Sequence, residues 1–296
     1  MKQFILREAP DKAGLIHLSG DDYHYLARVR RLKPGAEFAV LLPGGERAAA
    51  LVESVGGKTL TARTVPAEIS AQKTAGQETS ALLLVPPVPV PIPALPPLVL
   101  FQALPKGAKM DMIVRQAAEG GVSRIIPFMS EFSVYSHSGS EPEPGGRTER
   151  WRRIIREARQ QSRSLTATEI SPPHSFDNML AAWKLMSREP NNGRGKALGF
   201  LMREPAAEIP AGESRTGGRG LAQHSFHRYL CSDCSLAALA VGPEGGFSEK
   251  EVKSFLDAGF YAVTIGETIL RTETAALYGS AAIRILLLEK ATWTAK

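Results

Sequence analysis

Seven of the twelve residues from Pro86 to Pro97 are proline, and this run limits how the rest of the chain can fold. Proline fixes φ and lacks an amide hydrogen, so neither a helix nor a central strand can pass through it. The run lies in a stretch of 20 uncharged residues, Leu82 to Phe101, which hydropathy alone would take for a membrane span. A polyproline II chain leaves its backbone groups unpaired, which hydrocarbon does not tolerate. It therefore reads as a semi-rigid spacer, roughly 37 Å long if extended at about 3.1 Å per residue. The 296 residues are then expected to form two units, residues 1–70 and 98–296, joined by a linker over 71–97.

The first unit reads as β-rich. Its short apolar runs are separated by turn signals at Pro34-Gly35, Pro43-Gly44-Gly45 and Gly56-Gly57, the spacing of a compact barrel. After the linker, strands alternate with helices. Strands are expected over 98–102, 124–128, 197–202, 236–241 and 261–265, and helices over 109–119, 147–165 and 273–288. A further helix starts at the capping box Ser248-x-x-Glu251 and ends before Gly259. This alternation predicts an α/β domain with a mostly parallel sheet covered by helices. Residues 203–235, polar and rich in glycine, read as a loop insertion.

Charge is unevenly spread. The chain carries +6, with 36 basic and 30 acidic side chains, yet residues 147–163 alone hold seven Arg against two Glu. In a helix, Arg152, Arg156, Arg159 and Arg163 fall at i, i+4, i+7 and i+11 along one face. Trp151, Ile154, Ile155, Ala158, Ser162 and Leu165 form a second face that can pack on the sheet. Two acids cannot neutralise seven arginines, and the planar guanidinium suits phosphate. A polyanion, RNA or DNA, is the expected partner. Arg28, Arg30, Arg31 and Lys33 form a smaller basic cluster in the first unit.

Two loops join strand to helix near the end of the chain. Gly242-Pro243-Glu244-Gly245-Gly246-Phe247-Ser248 is rich in glycine but has no Gly-Lys-Ser/Thr, so it is not a P-loop. No G-x-G-x-x-G follows a strand either. The second loop, Gly266 to Thr274, carries Ile269-Leu270 between polar residues. Adjacent loops of this kind can enclose a ligand with an apolar part.

Together, the Gly-Pro-Glu-Gly-Gly-Phe-Ser loop and Ile269-Leu270-Arg271-Thr272-Glu273-Thr274-Ala275 resemble the two signatures of the RsmE family of ribosomal RNA methyltransferases, in the SPOUT superfamily. Gln102-Ala103-Leu104-Pro105-Lys106-Gly107, Glu119-Gly120-Gly121-Val122 and the stretch from Glu157 to Arg163 resemble further parts of the family, as His24 to Gly35 resembles its N-terminal domain.

The resemblance implies a PUA-like β-barrel that binds RNA, followed by a SPOUT-type knotted (trefoil) methyltransferase domain. It implies S-adenosyl-L-methionine as cofactor, held by Leu201, Gly242, Pro243, Glu244, Gly245, Ile265, Gly266, Ile269, Leu270, Thr274 and Ala275. The product would be N3-methyluridine in the decoding region of small-subunit (16S) ribosomal RNA. The enzyme would work as a homodimer on the RNA or a 30S-type subunit, with Lys106 joining the arginines in contact with it. Uridine N3 must lose a proton to accept a methyl group. Arg271 is the candidate to stabilise the resulting charge, and Glu244 or Glu273 the candidate base. One departure is Phe132, in Ser130-Glu131-Phe132-Ser133-Val134, where the family usually has Arg. Alternatives are an RNA-binding assembly protein that has lost the chemistry and a SPOUT enzyme acting on another RNA.

His224, His227, Cys231 and Cys234 could suggest a metal site, but three residues between the two pairs are too few to wrap zinc, so no metal is expected. Two cysteines in all, and an N-terminus with three apolar residues before charge returns, fit a reducing cytoplasm and no signal peptide.

Overall fold

The computed structural model describes residues 4–43, 46–65, 95–133, 146–188, 195–204, 226–230, 233–266 and 268–293. These fall into two compact units, one made of the residues up to Val65 together with Arg159–Leu165, the other of the remainder. Of the expected linker, 95–97 are among the described residues. Among the described residues, no helix is long and apolar enough to cross a membrane.

The N-terminal unit contains β1 (Phe4–Ile5), β2 (Leu15–Ser19), the short helix α1 (Gly20–Tyr23), β3 (Glu37–Leu41), β4 (Arg47–Val55) and β5 (Thr59–Val65). Its sheet runs β1-β3-β4-β5-β2, antiparallel except for β1 on β3. Among the described residues β1 and β2 are the outer strands of this order. Phe4, Leu18, Leu26, Phe38, Val40 and Leu60 fill the core. A π-helical turn, His24–Val29, buries Leu26 and leads into the basic cluster. Its short apolar period gave no helical signal. Arg28, Arg31 and Lys33 are exposed and Arg30 partly so, with Arg31 at φ +53°.

In the second unit β6 (Leu98–Ala103), β7 (Arg124–Phe128), β8 (Glu169–Ile170), β9 (Lys196–Met202), β10 (Cys234–Val241) and β11 (Phe260–Val263) form one sheet. Its order is β11-β9-β10-β6-β7-β8 and every pairing is parallel. Both faces are covered, which is why the strands read as nearly unbroken apolar runs. Helices α2 (Lys109–Glu119), α3 (Gly146–Ser162), α5 (Phe226–Leu230) and α7 (Thr272–Trp293) pack with Leu98, Leu100, Phe200 and Leu239 on one face. On the other face α4 (Phe176–Met186) and α6 (Glu249–Asp257) pack with Phe101, Leu201 and Ala240. Gly279 lets α7 approach closely, since a Cβ there would lie 2.7 Å from Leu239 Cδ2.

The capping box of α6 forms as expected. Ser248 Oγ accepts the Glu251 N–H, and the Glu251 carboxylate accepts the Ser248 N–H at 3.0 Å and the Glu131 N–H at 2.9 Å.

Several expectations need correction. Helix α3 ends at Ser162 because Arg163 turns to φ +59°, so Ser162 and Leu165 are exposed and Arg163 lies off the ridge. Trp151, Ile154, Ile155 and Ala158 are buried as expected. Helix α7 starts one residue earlier and runs past residue 288 to Trp293, and β11 stops at Val263. Within the expected insertion 203–235, α5 and the start of β10 are regular structure. Helix α4 and β8 were not anticipated. His224 and Cys231 lie outside the described residues, and burial pushes the Cys234 thiol up to about 11, so it stays protonated.

Candidate functional site

Open parallel sheets bind ligands beyond the carboxyl ends of their strands. Here three loops meet at that edge: 104–108 after β6, 242–248 after β10 and 264–271 after β11, with Glu267 outside the described residues. The last two, with Met202 to Glu204 after β9 and Lys109 at the start of α2, surround a cavity of about 520 Å³. That volume is in the usual range for small-molecule sites.

Of the residues expected to hold a cofactor, Gly242, Pro243, Glu244, Gly245, Ile265, Ile269, Leu270 and Ala275 line this cavity. Leu201, Gly266 and Thr274 are not among the described lining residues. For Leu201 the reason is strand alternation: it points into the α4–α6 core, while Met202 turns toward α7 and the cavity. The loop 242–248 turns tightly on itself. Gly246 has φ +71°, and a Cβ on Gly242 would lie 3.2 Å from Gly246 Cα, so bare peptide backbone forms that wall. Ile269 and Leu270 line the same cavity and add an apolar surface, with Ile269 69% exposed. Bare peptide and apolar side chains in one cavity suit an aromatic nucleoside with polar edges.

Two links pin the loops. Thr272 Oγ1 donates to the Gly242 carbonyl at 2.6 Å and accepts from the buried Gln102 Nε2 at 3.1 Å, tying α7 to β10 and β6. Lys109 Nζ donates to Glu244 Oε1 at 2.7 Å and lies 3.7 Å from Glu273 Oε2. The Lys106 N–H also donates to Glu244.

The candidate bases therefore stand differently than expected. Burial pushes the Glu244 carboxyl up, but the Lys109 hydrogen bond and the backbone donors outweigh it and hold the group below its ordinary value. Glu273 is not among the described cavity residues, and its Oε2 is buried without a hydrogen-bond partner. Arg271 lines the cavity, is exposed, and among the described residues makes no ion pair, whereas Glu244 and Glu273 both lie beside Lys109.

Sequence reasoning passed over Lys109. A cation in the first turn opposes the helix dipole, and α2 has no side-chain N-cap. That local cost was the available sign that the lysine serves something beyond the helix.

The basic elements are less uniform than the helical wheel implied. Arg152 is exposed and paired with Glu149, Arg150 is paired with Asp111, and Arg156 is half-buried. Arg159 is half-buried, its Nε unpartnered and its guanidinium pKa lowered by burial. The Lys106 side chain is exposed. Phe132 is 46% exposed on a turn backed against Gly245, whose added Cβ would lie 3.0 Å from the Phe132 Cβ.

An RNA methyltransferase domain matches residues 93–284, and an RNA methyltransferase PUA domain matches 18–65. The chain is 28% identical over 285 residues to ribosomal RNA small subunit methyltransferase E of Mycobacterium bovis, covering 96% of this chain and 91% of that protein. With the Bacillus subtilis protein of the same name, identity is 23% over 94% and 93% of the two chains. Among solved structures, a ribosomal RNA small subunit methyltransferase E from Neisseria gonorrhoeae bound to S-adenosyl methionine superimposes with a TM-score of 0.66. Identity there is 23%, with 97% of this chain and 98% of that one covered. A methyltransferase from Legionella pneumophila in complex with the same cofactor gives 0.63 at 21% identity, covering 96% of each chain. The match to the domain over most of its length shows that this chain belongs to the RNA methyltransferase family, with an RNA methyltransferase PUA domain ahead of it.

Proposed function

We propose that this chain methylates N3 of a uridine in the decoding region of small-subunit ribosomal RNA, with S-adenosylmethionine as methyl donor. The observation that carries the reading is the cavity built from both signature loops at the carboxyl edge of the parallel sheet, in a chain of the RNA methyltransferase family. The named function of the full-length relatives supports the ribosomal substrate, and the ligand of the Neisseria protein supports the donor.

When bound, S-adenosylmethionine supplies a methyl group on a positively charged sulfur. Ile265, Ile269, Leu270 and Pro243 would flank its apolar portion, and the peptide groups of 242–246 its polar edges. This chain's own task is to align N3 and to ease loss of its proton. Arg271, free of ion pairs among the described residues, is the group to stabilise negative charge on the pyrimidine. Glu244 already holds Lys109 and is a poor proton acceptor.

The RNA would be gripped by Arg28, Arg30, Arg31 and Lys33 on the PUA domain and by Lys106, Arg152 and Arg156 on the catalytic one, with Arg159 and Arg163 in supporting positions. The protein would act in the cytoplasm as a homodimer. Exposed Leu277, Tyr278, Ile285 and Leu288 on α7 offer an apolar face for the second copy. The last strands and α7 would form the trefoil knot of the SPOUT superfamily.

Mapping methylated uridines in ribosomal RNA from cells with and without the gene tests the reading. A site of N3 methylation lost with the gene is expected; no difference at any small-subunit uridine overturns it. Calorimetric titration with S-adenosylmethionine separates an enzyme from an assembly protein on the same fold, which need not bind it.

A further inference from the structure

Lys109 stands where three chain segments from distant parts of the sequence converge. It opens α2, which follows β6, and its Nζ is 2.7 Å from Glu244 on the loop after β10 and 3.7 Å from Glu273 on α7. Arg271, on the loop after β11, is the other charged group that bears on it, and it repels. Both carboxylates are substantially shielded, with side chains 28% and 13% exposed. Glu273 Oε2 has no hydrogen-bond donor, so the ammonium is the charge that compensates it. Lys109 itself lines the cavity.

Two shielded carboxylates and two cations sum to neutrality. Removing Lys109 leaves both carboxylates without the ammonium that pairs with them in a partly desolvated site, where an unpaired charge is far more costly than on an open surface. The loop 242–248 is also secured to the β6 side through Glu244, by Lys109 and by the Lys106 amide. Charge balance and loop placement thus rest on the same ammonium.

We propose that Lys109 is a positioning residue of the catalytic pocket: by bridging Glu244 and Glu273 it fixes the glycine-rich loop against α7 and so sets the shape that S-adenosylmethionine must enter. The inference rests on the function proposed above and adds a residue outside both signature loops. Lys109 acts through its two carboxylates.

The test uses the full chain and the variants Lys109→Met, Lys109→Arg, Glu244→Gln and the double variant Lys109→Met/Glu244→Gln. Affinity for S-adenosylmethionine is read by titration calorimetry at pH 5 to 9, and folding by thermal denaturation without ligand. Lys109→Met should weaken binding about tenfold at neutral pH, within the range for residues of one ion-pair network. Lys109→Arg should recover most of that loss. The double variant should bind no more weakly than Lys109→Met alone, because the interaction is already gone. Binding by Lys109→Met should improve toward pH 5 as the unpaired Glu244 carboxylate takes up a proton. A merely structural lysine would not give this pH dependence.

Wild-type affinity in a folded Lys109→Met protein overturns the proposal, as do strictly additive losses in the double variant. If Lys109→Met does not fold, Glu244→Gln carries the test: it should weaken binding about tenfold in a folded protein, and unchanged affinity overturns the inference. Failure of the wild-type chain to bind the cofactor strikes at the proposed function instead, which keeps the two failures apart.

Discussion

Replacing Glu251 with alanine should destabilise the catalytic domain by about 2–4 kcal/mol through lost hydrogen bonds. Glu251 is 5% exposed, and its carboxylate accepts two amide hydrogens, from Ser248 at 3.0 Å and from Glu131 at 2.9 Å. Alanine leaves both amides without an acceptor, at about 1–3 kcal/mol for each buried donor. The lower part of the summed range is appropriate because water can reach a partly exposed loop. Urea titration followed by tryptophan fluorescence reads this domain, since Trp151, Trp183 and Trp293 all belong to it. With a slope of about 2–3 kcal/mol per molar, the midpoint should fall by about 1 M with the slope unchanged. Ser248→Ala should cost about 1 kcal/mol, and the pair should be less than additive because the two side chains cap each other. A loss below about 0.5 kcal/mol for Glu251→Ala at unchanged slope would refute the claim that this carboxylate ties the 130–133 turn to α6.

Gly279→Ala should lose about 1–3 kcal/mol by denaturant titration despite alanine's higher helix propensity, because the new methyl meets Leu239 at 2.7 Å. Arg271→Ala should leave the melting temperature within error of wild type and lower single-turnover methylation about 100-fold, the size seen when one charge-stabilising donor is lost. The Glu244–Lys109 pair stabilises the protein between the two ordinary values, 4.5 and 10.5. The lowered carboxyl loses its contribution as pH falls through its folded value, the raised ammonium as pH rises through its own. The difference in melting temperature between wild type and Glu244→Gln should thus be flat from pH 6 to 9 and shrink toward pH 3. Arg152→Gln with Arg156→Gln should reduce the salt slope of RNA binding by up to about 2, at roughly 0.9 per phosphate contact, with cofactor affinity unchanged.

What could be read in advance followed from how local the physics was. The capping box of Ser248 and Glu251 spans four residues, and its hydrogen bonds were implied by the spelling. The buried face of α3 followed from helical period up to Ala158, then failed at Leu165 because a left-handed residue at 163 ends a helix without any signal in side-chain pattern. The phase of β9 was illegible for another reason. In a strand buried on both sides the residues on either face are equally apolar, so Leu201 and Met202 could not be sorted. Lys109 and Glu244 lie 135 residues apart, and no local rule couples them. Helix α4 was legible in principle, with Ser175 capping the Asn178 amide and Met179, Leu180 and Trp183 on one buried face.

The hydrogen bond from Gln102 to Thr272 closes a loop of 170 residues. Bonds of such span form late, since the entropy of closing the loop is lost before the contact repays it. On a growing chain the pocket cannot exist until α7 has emerged and docked, whatever the state of the strands made earlier. Translation thereby times the enzyme: partly synthesised chains hold a folding sheet and no place for a ligand. Ligand binding during refolding should accordingly lag behind burial of Trp151 and Trp183, with β6 waiting for its last partner.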